Sequence, residues 1–195
     1  MKKIYFIILL AFVALSINAQ VWIVYNTNNS GLPVDAVNTI QIDNNNVKWI
    51  GTFNFPTDGG LVKFDNGNWT TYSDTNSILT NNRITEIEIG NGKDIFLSEG
   101  NTGLLFFDHT NWKKFTTINS GLLCNNVYAI HRDKDNNYWI STCEGLNKLD
   151  DTTWVSFPRT DYPTSDIDYI RSNSMGNIWM ARGCAGLTLY DGLIG

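Results

Sequence analysis

The chain has 195 residues, a formal net charge of −5 and 17% charged residues. That length fits one domain, and the acidic balance excludes the electrostatic footprint of a protein that binds nucleic acid or anionic lipid. Three cysteines in a chain of this size exclude a scaffold built on disulfides.

The first element is a leader. Lys2 and Lys3 precede an apolar run from Ile4 to Leu15, and small and polar residues follow to Ala19. A basic start, a short apolar stretch and a small-residue end have the form of a secretory signal peptide. The run is too short for a membrane span, which takes about 20 apolar residues. Residues 1–19 are therefore expected to be removed. Residues 20–195 then form a periplasmic or secreted domain, free of the membrane after cleavage. In an oxidising compartment, an odd number of cysteines leaves at least one unpaired within the chain.

From Val21 onwards the chain repeats. Aromatic residues recur at Trp49, Phe96, Trp139 and Trp179, and a second series runs Trp22, Trp69, Trp112 and Trp154. Gly60, Gly103, Gly145 and Gly186 each precede a leucine, and Asp65, Asp108, Asp150 and Asp191 form a fourth series. Every step lies between 40 and 47 residues. Val37 to Trp49, Ile84 to Phe96, Val127 to Trp139 and Ile167 to Trp179 are each 12 apart. The repeats divide the chain at about 21–67, 68–110, 111–152 and 153–195.

Each unit reads as short strands. In the first, "AVNTIQI" (36–42) is β-branched and apolar, "DNNN" is a polar turn, and "VKWIGT" resumes the strand pattern. "GLVKF", the turn "DNGN" and "WTTY" complete the unit. Runs of four to seven residues between Asn, Asp and Gly clusters are the signature of antiparallel hairpins. Four such strands in about 43 residues predict a blade of a β-propeller, an all-β fold of four blades here. The tryptophans at 49, 139 and 179 are expected to fill the wedge between neighbouring blades.

The unit "NSGLPVDAVNTIQIDNNNVKWIGT", followed by "GGLVKFDNGNW", closely resembles the two-component regulator propeller repeat. Residues 29–69 match that pattern nearly throughout, and residues 119–154 match it well. The second unit has Phe96 in place of Trp, and the fourth shows "TDYPTSD" where the others carry Asn-Ser. The resemblance implies the extracytoplasmic sensor part of a hybrid two-component regulator, of the kind that responds to glycan breakdown products. It also implies a non-enzymatic module whose ligand is a carbohydrate or a protein. Similar repeats occur in secreted surface proteins, so a structural or adhesive scaffold, or a fragment of a larger propeller protein, is the alternative.

The ends carry further information. "VWIVY" (21–25) has the form of a strand that closes a blade, and "GLTLYD" (186–191) that of a third strand. The first could complete the last blade and latch a closed ring of sixteen strands. The rival is an open arc, whose apolar faces would pair with another propeller chain.

In a meander blade, alternate connections lie at opposite ends. The end that carries the loops before the first strand and after the second holds Asp35, Arg83, Glu99, Glu144 and Arg182. It also holds "TFNFPTDGG" (52–60), longer than its counterparts, with Phe53 and Phe55 placed to stack on a sugar ring. These seven residues are the candidate ligand site. Asp133, Asp135, Asn137 and Glu144 match positions 1, 3, 5 and 12 of a calcium loop, but Tyr138 stands where that loop needs glycine. No metal, cofactor or catalytic motif is expected. Cys124 precedes the first strand of its blade and Cys143 follows the second, so antiparallel pairing brings them to one end. A Cys124–Cys143 disulfide is the expectation, with Cys184 free.

Overall fold

The computed structural model describes residues 21–192 except 57, 93 and 162–165; the expected signal peptide lies outside them. Among the described residues, fifteen strands form four antiparallel sheets in chain order. The first sheet holds β1 (Val37–Ile42), β2 (Lys48–Asn54), β3 (Asp58–Asp65) and β4 (Asn68–Tyr72). The second holds β5 (Ile84–Ile89), β6 (Ile95–Glu99), β7 (Leu104–Phe107) and β8 (Trp112–Phe115). The third holds β9 (Val127–Arg132), β10 (Tyr138–Thr142), β11 (Gly145–Asp150) and β12 (Thr153–Pro158). The fourth has three strands, β13 (Tyr169–Ser172), β14 (Ile178–Arg182) and β15 (Gly186–Tyr190). The all-β, four-bladed reading holds.

The Asn-rich turns have a steric reason. Asn46 and Asn136 take φ of 65° and 70° in the first hairpin of their blades, and Gly176 takes 97° at the same place. Asn66, His109 and Asp151 do so in the last hairpin of theirs. This left-handed region suits Gly, Asn and Asp and penalises most side chains. An Asp carboxylate or Asn carboxamide oxygen at the head of the first turn then caps it. Asp43 accepts from the N–H groups of Asn45 and Val47, Asp133 from those of Asp135 and Asn137, and Asn173 from those of Met175 and Asn177. Asp133 also accepts from the Trp139 indole at 2.8 Å. The residues that resemble a calcium loop are thus a hydrogen-bonded hairpin turn.

Successive sheets pack face to face through a repeated apolar interface. Trp49 and Leu61 of the first blade meet Ile84, Ile87 and Leu97 of the second. Phe96 and Leu104 meet Ile130 and Ile140 of the third, and Trp139 and Leu146 meet Ile170 and Met180 of the fourth. Burying such aromatic and branched side chains stabilises each interface by about 1.5–3 kcal/mol per side chain. Hydrogen bonds also tie the second strand of one blade to the start of the next blade. The Ser98 hydroxyl donates to the Val127 carbonyl at 3.0 Å, and that of Ser141 to the Ile167 carbonyl at 2.7 Å.

Among the described residues the ring is not closed, which decides between the latched ring and the open arc in favour of the arc. Val21–Tyr25 is in no strand, and its Trp22 is 85% exposed. Tyr25 packs instead on Phe64 and Trp69 of the first blade. The chain forms an open arc. One further expectation changes: "TFNFPTDGG" does not form a long loop but lengthens a hairpin. Phe53 pairs with Gly59 and Asn54 with Asp58, around a cis Phe55–Pro56 bond.

Candidate functional site

The innermost strands β1, β5, β9 and β13 come from different blades, and their residues line one concave channel. Its central cavity of about 590 Å³ is lined by Asn38, Gln41, Thr85, Glu86, Tyr128, Asp168, Tyr169 and Arg171, among others. At one end it adjoins a hollow of about 210 Å³ lined by Arg83, Gly100 and Asn126, which shares Thr85 and Tyr128 with it. At the other end lies a hollow of about 190 Å³ lined by Gln41, Glu88, Asn91 and Arg132. The channel offers carboxylates, guanidinium groups, amides and a phenol along one line.

The charges in the channel are coupled. Burial raises the Glu86 carboxyl to about 7; Arg171 opposes the rise and Glu88 adds to it. Glu86 is therefore shared between acid and carboxylate near neutral pH. Burial also raises Glu88, against the backbone N–H of Arg132, which donates to its Oε1 at 2.9 Å, and against the Arg132 and Arg171 charges. His131, between the third and fourth blades, is held down to about 4 by burial and by Arg171. Its Nε2 accepts from the Ser172 N–H at 2.9 Å, so the neutral ring carries its proton on Nδ1. Tyr128 is raised by burial, and its hydroxyl accepts from the Asn126 amide at 3.2 Å. Such a surface can donate and accept hydrogen bonds at many points, the requirement for holding a polyhydroxylated ligand. Among the described residues, no three His, Cys, Asp or Glu side chains are grouped to hold a metal ion. No described helix is long and apolar enough to cross a membrane.

The residues singled out from the sequence fall into two groups. Arg83 lines the hollow at the channel mouth, and its guanidinium lies over the Phe53 ring at 5.3 Å from the centroid. Phe55 is 83% exposed at the tip of the lengthened hairpin. Glu144 is exposed beside the third blade's second strand. The others already bind the protein itself. Asp35 accepts from the Thr27 N–H at 2.7 Å, and buried Arg182 donates to Thr188 at 3.2 Å. Glu99 is buried, and burial would raise its carboxyl. Bonds from the N–H groups of Asn81 and Thr80 and from the Thr102 and Thr80 hydroxyls outweigh that and hold it below the usual range. Lys114 lies 3.5 Å from it. Cys124 and Cys143 form a disulfide, with Cα atoms 5.8 Å apart. Glu86, Glu88, Tyr128, Asp168 and Arg171 were not among the sequence candidates. The signal for Glu86 and Glu88 was present in "ITEIEI", where two carboxylates interrupt an apolar innermost strand.

With this geometry in place, relatives can be compared. Residues 121–144 match the Two component regulator propeller family. Those residues cover the Asn-Ser-Gly-Leu segment from Gly121, β9 and β10 of the third blade, the unit read above as a good match. No curated protein matches the chain in sequence. Among solved structures, the fold is similar to the extracellular domain of BT3049 of B. thetaiotaomicron, described as a hybrid two component system. The TM-score is 0.70 at 22% identity, over 86% of this chain and 23% of that one. It is similar to PorZ of Porphyromonas gingivalis, a surface component of the type-IX secretion system, at TM-score 0.60 and 18% identity, over 85% and 28%. It is also similar to virginiamycin B lyase of Staphylococcus aureus, at TM-score 0.63 and 12% identity, over 80% and 55%. The chain thus spans about a quarter of the BT3049 extracellular domain and of PorZ, and about half of the lyase. At these identities the likeness establishes the propeller fold.

Proposed function

We propose that the chain is an exported, non-enzymatic ligand-binding module of the two-component sensor type, with the channel as its site and carbohydrate fragments as its ligand class. The observation that carries this reading is the convergence of four inner strands on one polar cavity. There Glu86, Asp168, Tyr128 and Arg171 supply charged and neutral hydrogen-bonding groups together. Hydroxyl-rich ligands are recognised by such mixed donors and acceptors, with aromatic rings for their apolar faces. Phe53, Phe55 and Arg83 form the rim in this reading, and Glu144 lies at the same end of its blade. Likeness to the extracellular domain of BT3049 supports the sensor class, and the matching repeat supports it again.

The test is calorimetric titration of the folded chain with a panel of glycan-derived oligosaccharides. Saturable binding is expected, weakened more than about tenfold by Arg171→Ala, which removes a charged hydrogen-bond partner. No binding by any member of the panel overturns the carbohydrate assignment. Turnover of a polysaccharide or lactone substrate overturns the non-enzymatic one. A scaffold role is the second reading, favoured by the apolar surfaces at both ends of the arc. It predicts self-association without any small-molecule ligand.

A further inference from the structure

We infer that the ligand of the channel is acidic, and that its carboxylate or sulfate groups are held by Arg83, Arg171 and Arg132. This rests on the channel as the ligand site and narrows the ligand class proposed for it. The chain carries a formal net charge of −5, so a row of cations is not what its composition would place there. The two kinds of cation are sorted by position. Of the five arginines, three line the channel, one in each of its hollows. No described lysine lines any of them; the described lysines stand on second, third and fourth strands or in a hairpin turn. Arginine presents a planar fork of donors that fits two oxygens of a carboxylate or sulfate, whereas lysine is a point charge.

The three guanidinium groups do not hold carboxylates of the fold itself. Among the described residues four ion pairs form, and none includes them. Arg159, outside the three hollows, does pair, with Asp166 at 3.1 Å. Arg83 lies over the Phe53 ring, Arg171 donates to the Ile170 carbonyl at 2.7 Å, and Arg132 donates to the Asn91 and Asn136 side-chain oxygens. Each of these partners is neutral, so the positive charges stay uncompensated at short range. Glu99, in the same blade as Arg83, is satisfied instead by N–H groups, hydroxyls and Lys114. The carboxylates of the channel are engaged or held back. Glu88 accepts from the Arg132 N–H and Asp168 from the Gly183 N–H, at 2.9 Å each. Glu86, raised by burial to about 7, can donate to an oxyanion in its acid form.

The hollows run on from one another. The central cavity, with Arg171, shares Thr85 and Tyr128 with the hollow of Arg83 and Gln41 with that of Arg132. Arg83 stands just before β5, and the Arg132 N–H bonds to Glu88 near the end of that strand. At about 3.3 Å per strand residue, the two backbones are about 16 Å apart along the channel. Beside Arg83, the Tyr128 hydroxyl accepts from the Asn126 amide, which leaves its own proton for a further acceptor. A ligand of several units with acid groups along it can meet all three arginines at once; a single small acid meets one. Cations gathered in a concave channel also draw an anion more strongly than cations scattered over a surface.

Calorimetric titration of the folded chain with matched pairs tests this: trigalacturonic acid against galactotriose, and a sulfated trisaccharide against its desulfated form. The two pairs distinguish carboxylate from sulfate. At least one acidic member is expected to bind about tenfold or more tighter than its neutral partner, the worth of one hydrogen bond to a charged group. On the wild type, added salt is expected to shrink that preference, because it screens charge. Arg83→Gln and Arg132→Gln, each checked for folding by circular dichroism, are expected to weaken the acidic ligand about tenfold and to leave the neutral partner unchanged. Lys134→Gln, in a turn outside the channel, is expected to change neither. Equal or tighter binding of the neutral partners, or an acidic preference that survives loss of both arginines, overturns the inference and leaves a carbohydrate ligand standing. Binding of a glutamate oligopeptide without any oligosaccharide leaves the acidic ligand standing and overturns the carbohydrate class. No binding by any acidic probe overturns the inference.

Discussion

At the scale of single residues, one side-chain oxygen caps the turn before the aromatic strand in the first, third and fourth blades, that of Asp43, Asp133 or Asn173. Asp133 is 7% exposed and accepts bonds from two backbone N–H groups, the Asn137 amide and the Trp139 indole. Asp133→Ala should cost about 2–4 kcal/mol, because it leaves buried donors unsatisfied. Asp43, which caps the first hairpin without an indole bond, should cost about 1–2 kcal/mol when replaced by Ala. Urea denaturation of the two variants distinguishes these magnitudes. Glu86 gives a second prediction at this scale. Its carboxyl is raised from the ordinary 4.5 to about 7. Between those values the folded chain holds a proton that the unfolded chain has lost, so its contribution to stability falls as pH rises through that window. His131, held down to about 4, acts in the opposite direction. It is neutral when folded and protonated when unfolded below about 6.5, so its contribution falls as pH drops from there to about 4. Subtracting wild-type from Glu86→Gln stabilities at each pH cancels the histidine. The difference should rise in favour of the variant from pH 4.5 to 7 and level off above. A flat difference would contradict the burial of Glu86.

At the scale of elements, a glycine and a disulfide fix how strands meet. Gly103 opens the path into β7 with φ of +114°, and a Cβ there would stand 2.3 Å from the Phe115 carbonyl of β8. Gly103→Ala should destabilise by about 2 kcal/mol or more, through both the dihedral and the collision. Gly67 has φ of +89° but open space around it, so Gly67→Ala should cost only about 1 kcal/mol. Thermal melts of the pair separate steric contact from conformational preference. The Cys124–Cys143 bond closes a separation of 19 residues between the entry to β9 and the exit of β10. On the chain-entropy account, replacing both cysteines with serine should lower stability by about 3 kcal/mol.

At the scale of the whole molecule, stability should grade along the arc. Every residue of β6 is buried, with neighbours on both sides of its blade, whereas β15 has an open edge and exposed leucines. Regions with few buried contacts open with the lowest free energy. Hydrogen exchange on the folded chain should therefore be slowest in β6 and fastest in β15. Equal protection of the two strands would contradict an arc in which the middle blades hold the core.

The sequence by itself determined the blades. A hairpin turn needs a residue that tolerates positive φ, and a wedge between sheets needs a large apolar side chain. Both needs recur along the chain, so Val37 and Trp49 have counterparts 12 residues apart in every unit and can be read without coordinates. The site was only partly legible. Phe53 and Arg83 were singled out because they sit in an unusual insertion and a loop, and the structure places Arg83 at the channel hollow with its guanidinium over the Phe53 ring. Glu99 looked the same from the sequence, yet its carboxylate is occupied by N–H groups 17–19 residues away. Glu86 and Arg171 meet only because two inner strands 85 residues apart face one channel. The match between Val21–Tyr25 and an outer strand was visible in the spacing of Trp22 and Tyr25. Only the tertiary structure decided that this segment joins no described sheet, because Tyr25 finds its aromatic contacts on Phe64 and Trp69 of the first blade, and those contacts are set by packing that no single repeat encodes.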